Sequence, residues 1–166
     1  MNFTTALPSA AGRNKRNNGG NKEKMIMGMD FSGAGGAFSM HCGSWCKALQ
    51  LARQYGWQPA GTVAPDYGPE YPPLTDWNGE YVSNSYQEVT DSDAKNLADA
   101  LDRALADVPR QNTIKDKKLI ISINGVSYEA TPLDACISPL DYFSGGCSQL
   151  LVEIIALCRA GHFFIG

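Results

Sequence analysis

The segment spanning residues 45–62, WCKALQLARQYGWQPAGT, constrains the fold of this chain more than any other stretch. Its apolar residues recur at helical spacing, so that one stripe contains Trp45, Ala48, Leu49, Ala52 and Tyr55. Gly56 then stands where a helix end favours a residue with positive φ, and Pro59 prevents the helix from continuing. The pattern predicts an amphipathic core helix that ends sharply at this glycine.

Two further amphipathic helices are predicted downstream. Thr90 is a favourable N-cap residue, and Asp93 stands three positions later, as in a short version of the capping box. The apolar stripe of this second helix runs as far as Pro109, which ends it. A third helix is predicted over about residues 148–159, with Gly161 as its C-terminal cap.

Extended segments are predicted between and after these helices. The clearest is a hairpin over residues 117–130, in which Asn124-Gly125 suits a type I′ turn. The other predicted strands are residues 25–31 and 38–40 around a glycine-rich loop at 32–36, residues 81–83 paired with 86–89, and a final strand at 162–165 that re-enters the sheet. The predicted fold class is therefore α+β, a single domain with three amphipathic helices on a small, mainly antiparallel sheet.

Composition and length predict the domain organisation. The 166 residues suffice for one domain, predicted at residues 25–166, preceded by a disordered basic tail at residues 1–24 that is rich in Asn, Gly and Lys. No apolar run approaches the roughly 20 residues needed to span a bilayer, so no membrane interaction is expected. Five widely spaced cysteines are an odd number, which favours reduced thiols and a cytoplasmic location.

Charge is distributed unevenly along the chain. Residues 13–24 contain five bases against Glu23, a local charge of +4, whereas residues 58–107 contain ten acids and two bases, a local charge of −8. An acidic body disfavours nucleic-acid binding, which requires neutralisation of phosphates, so only the basic tail is expected to touch nucleic acid, and weakly. The acidic body is compatible with a basic protein partner or with a merely solvated surface.

Two groups of residues raise alternatives that involve cysteine chemistry. One is a C-x₃-C and C-x₃-H set that could supply zinc ligands: Cys42, Cys46, Cys158 and His162. Structural zinc sites favour two-residue gaps between cysteines, and thiols on helix faces are usually small core residues, so no metal is predicted. The other alternative is a small hydrolase or transferase that uses a Cys or His near Asp30, His41 and Cys42.

An acidic and aromatic-rich region after the first helix is the main candidate for function. The predicted binding residues are Tyr67, Tyr71, Trp77, Tyr81, Tyr86, Asp66, Glu70 and Glu80. Tyr and Trp combine a large contact area with a polar group, which suits a recognition surface. The competing interpretation is that these rings anchor a long proline-containing loop to the core.

Several short motifs resemble those of a broad group of small, uncharacterised bacterial proteins. They are Met27-Gly28-Met29-Asp30, Trp57-x-Pro59-x-Gly61-Thr62, the V-T-x-x-D-A-x-x-L-A-x-A-L helix at residues 89–101, and Arg159-x-Gly161-x-Phe163-x-Ile165. The resemblance implies a compact intracellular domain and brings no activity, cofactor or functional residue with it. Because the residues with catalytic chemistry are few and unclustered, the expected function is that of a non-enzymatic binding protein, immunity-like or another interaction module, that uses the acidic aromatic-rich loop and needs no cofactor.

Overall fold

The computed structural model describes residues 28–113, 119–123, 126–130 and 137–166. The strands are β1 (Gly28–Gly33), β2 (Gly36–His41), β3 (Gln87–Val89), β4 (Leu119–Ile123), β5 (Val126–Ala130) and β6 (Phe163–Ile165). The helices are α1 (Cys42–Gln54), α2 (Asp91–Asp107), α3 (Pro139–Tyr142) and α4 (Ser148–Arg159), with a 3₁₀ turn at Gly145–Cys147. The predicted disordered tail at residues 1–24 and the turn residues Asn124-Gly125 lie outside the described residues.

The main sheet has four strands in the order β2-β1-β6-β3, and every pair in it is antiparallel. The glycine-rich segment closes the β1–β2 hairpin, in which Gly33 lies opposite Gly36. The C-terminal strand β6 enters the middle of the sheet, where Ile165 lies between Phe31 and Gln87. The α+β class and the antiparallel sheet are confirmed.

One predicted strand pair is wrong. Residues 81–83 do not form a strand, and Gln87–Val89 pairs with β6 while Glu88 forms an isolated bridge to Val63. The reason is local: the buried side chain of Gln87 accepts a hydrogen bond from the Ser85 backbone and donates one to the carbonyl of Ser83. This amide fixes residues 83–85 as a turn and prevents them from pairing along the strand.

Helix α1 begins earlier than predicted and ends as predicted. His41 is its N-cap, since Nδ1 accepts a hydrogen bond from the Gly43 backbone at 3.0 Å. At the other end, Gly56 adopts φ +91 and Trp57 N donates to the Ala52 carbonyl at 2.9 Å. Together with the bond from Gly56 N to the Arg53 carbonyl, this is a Schellman cap, as the sequence indicated.

The other helices pack around one aromatic core. Helices α2 and α4 lie against each other and bury their apolar faces, and Thr90 caps α2 as predicted. The rings of Trp45, Phe31 and Phe163 meet edge to face between the sheet and α1. The short helix α3 was not predicted, although Ser138 followed by Pro139 is an N-terminal helix signal.

Within the predicted hairpin at residues 117–130, the described strands β4 and β5 form a separate two-stranded sheet. Leu119 lies opposite Ala130 and Ile123 opposite Val126, the register that a two-residue turn requires. Among the described residues, none of the helices combines the length and the hydropathy needed to cross a bilayer.

Candidate functional site

The segment between α1 and β3 is held to the fold by a buried carboxylate. Asp93, in the first turn of α2, is fully buried, and its Oδ1 accepts hydrogen bonds from Trp57 Nε1 at 2.9 Å and from Ala60 N at 3.3 Å. Its Oδ2 accepts a hydrogen bond from the Tyr81 hydroxyl. The positive end of the α2 dipole adds favourable electrostatics at this position. One side chain therefore fixes both ends of the 58–81 segment.

Tyr81 belongs to this anchor. Its ring lies 5.2 Å from that of Trp57, its side chain is only 5% exposed, and its hydroxyl accepts a hydrogen bond from Gly61 N at 2.8 Å. Burial, reinforced by the hydrogen bond to Asp93, raises the pKa of Tyr81 well above its usual range. The hydroxyl therefore stays protonated and donates a hydrogen bond to Asp93.

Trp77 and Glu80 lie at the base of the same segment. Trp77 is half-buried, and its Nε1 donates to the Thr62 carbonyl at 2.9 Å. Thr62 in turn donates its hydroxyl to the Glu80 carbonyl at 2.7 Å, and its backbone N–H bonds to the Gly79 carbonyl. These contacts close the segment into a loop whose base is ordered by hydrogen bonds.

Three predicted tyrosines instead point into solvent. Tyr67, Tyr71 and Tyr86 are 49%, 63% and 64% exposed. The rings of Tyr67 and Tyr71 meet edge to face with centroids 6.2 Å apart, and the Tyr67 hydroxyl donates to the Ser85 carbonyl at 3.1 Å. Tyr67 therefore lies beside the residue that precedes Tyr86, so the three rings belong to one region of the surface.

Tyr86 has an unusual backbone conformation. It is the non-glycine residue with positive φ among those that the structure describes, at φ 60. A bulky side chain in this region costs about 1–2 kcal/mol, so such a residue persists only where its surroundings impose it. Here the Gln87 amide imposes it, because it holds Ser83 and Ser85 on the preceding turn.

Two of the exposed tyrosines, Tyr67 and Tyr71, line an open groove. The groove has a volume of about 630 Å³ and is lined by residues 64–69 and 71–74, which include Tyr67, Tyr71 and four prolines. Asp66 and Glu70 are exposed at this loop, and Asp66 Oδ1 accepts a hydrogen bond from Gly68 N at 2.8 Å. We define the acidic tyrosine face as Tyr67, Tyr71, Tyr86, Asp66 and Glu70.

The predicted binding residues thus divide into two groups. Five of the eight form the acidic tyrosine face. The other three, Trp77, Tyr81 and Glu80, form hydrogen bonds at the base of the loop. The packing interpretation is correct for Trp77 and Tyr81, whereas recognition by the exposed tyrosines stays a prediction. Sequence analysis did not separate the two groups, because the alternation of rings, prolines and acids is the same along the whole loop.

The cysteine and histidine residues are placed in separate environments. Within the described ranges, no three His, Cys, Asp or Glu side chains are arranged to hold a metal ion, so Cys42, Cys46, Cys158 and His162 do not form a zinc site. Burial raises the pKa of Cys158 to about 12 and, more weakly, that of Cys46. Both thiols are therefore poor nucleophiles.

The residues near the first loop have structural contacts. Asp30 accepts a hydrogen bond from the Ser39 hydroxyl at 2.6 Å across the β1–β2 hairpin, and His41 caps α1. Asn84 Nδ2 donates a hydrogen bond to the Gly28 carbonyl, and Asn84 Oδ1 accepts one from Asp30 N. These bonds satisfy backbone groups at the start of β1, where β6 does not pair with it. In the part of the chain that the structure describes, these contacts do not form a nucleophile–base pair.

Two residues that matter for the site were missed by sequence analysis. Asp93 was interpreted only as a capping residue, and the sequence holds no signal that its carboxylate would be fully buried. Gln87, also fully buried, was placed within a regular strand. The available signal was that Gln87 lies two positions before Val89, on the face of the strand that is expected to be apolar.

No protein-family model, curated protein or solved structure matches this chain. The resemblance drawn from short motifs therefore remains a prediction.

Proposed function

We propose that this chain is a non-enzymatic binding protein whose acidic tyrosine face engages a basic protein segment. The observation that carries the proposal is the concentration of exposed apolar side chains. Among the described residues, eight large hydrophobic side chains are exposed, and six of them lie between positions 63 and 86: Val63, Tyr67, Tyr71, Leu74, Val82 and Tyr86. Three of them, Tyr67, Tyr71 and Leu74, line one groove, and contiguous exposure of this kind is typical of interaction sites, whereas scattered exposure is not.

The restricted backbone of the loop lowers the entropy cost of binding. Prolines at positions 65, 69, 72 and 73 restrict the backbone, and the hydrogen bond from Tyr71 N to the Gly68 carbonyl closes a turn between them. A side chain that is already positioned loses little entropy on association. Tyrosine adds large contact area at low entropic cost, which is why it is enriched among residues that dominate binding energy.

Charge selects the class of partner. Residues 58–90 contain five acids and neither Lys nor Arg, and Asp66 and Glu70 are exposed beside the rings. Within the described ranges, neither carboxylate forms an ion pair. A basic segment would find complementary charge and π-faces that attract Lys and Arg side chains.

Peptide selection tests this proposal. Random twelve-residue peptides displayed on phage are selected on the wild-type chain, and the recovered peptides are then titrated against two variants. Tyr71→Ala removes an exposed ring from the face, whereas Val152→Ala removes an exposed apolar side chain from α4 as a matched control.

We expect the recovered peptides to carry net positive charge and to bind Tyr71→Ala at least about tenfold more weakly, a loss of about 1.4 kcal/mol. Binding to Val152→Ala should be unchanged, and binding to the wild type should weaken between 50 and 500 mM salt because the Debye length shortens. Recovery of neutral or acidic peptides, or equal binding to Tyr71→Ala, would contradict the proposal.

A further inference from the structure

The chain enters the described fold beside the acidic tyrosine face. Gly28 begins β1, and its carbonyl accepts a hydrogen bond from Asn84 Nδ2 at 3.0 Å. The carbonyl of the next residue, Ser85, accepts a hydrogen bond from the Tyr67 hydroxyl at 3.1 Å. Two adjacent residues therefore link the start of β1 to the face, so whatever precedes Gly28 begins close to it.

The sequence that precedes Gly28 has the opposite charge to the face. Residues 13–24 contain Arg13, Lys15, Arg16, Lys22 and Lys24 against a single acid, which gives +4. Residues 58–90 carry five acids and no base, which gives −5. The chain thus contains both a basic segment and an acidic, ring-bearing surface, and the segment ends four residues before Gly28 in the sequence.

The basic residues are also within reach. An extended chain advances by at most about 3.3–3.6 Å per residue. Lys24 and Lys22 stand four and six residues before Gly28, so they extend to about 14 and 21 Å from it. Arg13 stands fifteen residues before Gly28 and extends to about 50 Å, more than enough to reach any part of the face.

We propose that residues 13–24 of this chain occupy the acidic tyrosine face intramolecularly and compete there with an external basic partner. This inference rests on the proposed function, because it takes the face to be a binding surface for basic segments. Lys and Arg groups of the segment pair with Asp66 and Glu70, and the exposed rings of Tyr67 and Tyr71 offer them cation–π contacts.

A weak contact is sufficient for this regulation. A short tether gives the attached segment an effective concentration of the order of millimolar. A segment that would bind with a dissociation constant of about 1 mM as a free peptide is then at least about half bound. Occupation of the face by the segment lowers the affinity for an external partner by the corresponding factor, about two- to tenfold.

Zero-length cross-linking of the full chain tests the contact. A carbodiimide joins a lysine amine to a carboxylate only where the two touch, and an equal mixture of ¹⁴N- and ¹⁵N-labelled chains separates intrachain from interchain products. We expect intrachain links from Lys15, Lys22 or Lys24 to Asp66 or Glu70, lost in 0.5 M salt. Links spread equally to the exposed Asp91 and Asp102 on α2, or links only between chains, would overturn the inference.

A competition measurement separates failure of this inference from failure of the proposed function. Fluorescein-labelled octa-arginine is titrated against the wild type and against a variant in which the five bases of residues 13–24 are replaced by Gln. We expect two- to tenfold tighter binding to the variant, and loss of binding in Asp66→Asn/Glu70→Gln. Asn and Gln keep the shape of the two side chains and remove their charge.

Equal binding to the wild type and to the Gln variant, together with loss in Asp66→Asn/Glu70→Gln, overturns the intramolecular contact and leaves the proposed function standing. Octa-arginine binding that Asp66→Asn/Glu70→Gln does not weaken overturns both, because the probe then does not use the face.

Discussion

Replacement of Asp93 by Asn tests how the loop is anchored. The variant keeps the shape of the side chain and exchanges one carboxylate oxygen for an NH₂ group. If the remaining oxygen still faces Trp57, the NH₂ group faces the Tyr81 hydroxyl, whose oxygen already accepts the Gly61 N–H at 2.8 Å. The Tyr81 hydroxyl then has no carboxylate oxygen to which it can donate its buried hydrogen bond.

The expected magnitude follows from the bonds that are lost. A hydrogen bond to a charged group contributes about 1.5–3 kcal/mol, and an unsatisfied buried donor costs about 1–3 kcal/mol. We therefore expect Asp93→Asn to lower the free energy of unfolding by about 3 kcal/mol and Tyr81→Phe to lower it by about 2 kcal/mol. Because both variants break the same bond, the double variant should lose only about 3.5 kcal/mol, a coupling of about 1.5 kcal/mol.

Urea unfolding of the four proteins, followed by far-ultraviolet circular dichroism and tryptophan fluorescence, measures this cycle. Asp102→Asn is the control, since Asp102 lies on the same helix, is half-exposed and pairs with Arg159 at the surface, so its loss should cost less than about 1 kcal/mol. A coupling energy below about 0.3 kcal/mol would show that the Asp93–Tyr81 bond does not hold the loop.

Three further predictions concern the backbone and a buried thiol. Gly56→Ala should lower the free energy of unfolding by about 1–2 kcal/mol in urea, because φ +91 is unfavourable for alanine; no loss would refute the Schellman cap. Tyr86→Gly should be about 1 kcal/mol more stable than Tyr86→Ala, since glycine tolerates φ 60, and equal stabilities would contradict a strained backbone at this position. Burial, and then the charge of Asp93, raises the pKa of Cys158 from about 9 to about 12. The thiol therefore ionises more readily in the unfolded chain, and the free energy of unfolding should fall by about 1.4 kcal/mol per pH unit between pH 9 and 12, with no loss below pH 9. Urea unfolding between pH 8.5 and 10 should show this slope in the wild type but not in Cys158→Ala, and identical slopes would contradict it.

The parts of the fold that were predicted depend on short-range chemistry. The end of α1 at Gly56, the Thr90 cap and the bounds of α4 are each decided by residues within a few positions of one another. The same is true of the β4–β5 register, which the two-residue turn length dictates. Local signals of this kind can be read from a sequence because no distant partner is needed to interpret them.

The errors involve two polar side chains whose burial the sequence does not announce. Asp93 is 36 positions from its partner Trp57, so its role depends on a contact that the local sequence does not specify. Gln87 bonds to Ser83 and Ser85, which are close in sequence, but its burial depends on the packing of the sheet. For the same reason the sequence did not distinguish Tyr81, which is buried against Asp93, from Tyr71, which is exposed. The sequence therefore predicted the region of the candidate face, and the burial of each side chain shows which residues are exposed on it.

The most direct test of the acidic tyrosine face is photo-cross-linking in cells of the source organism. Benzoylphenylalanine is placed at position 71, on the face, or at position 152, on the exposed side of α4, and the adducts formed on irradiation are identified by mass spectrometry. The account predicts an adduct at position 71 with a basic protein segment that is lost in Asp66→Asn/Glu70→Gln and does not form at position 152. The same adducts at both positions, or none at position 71, would contradict it.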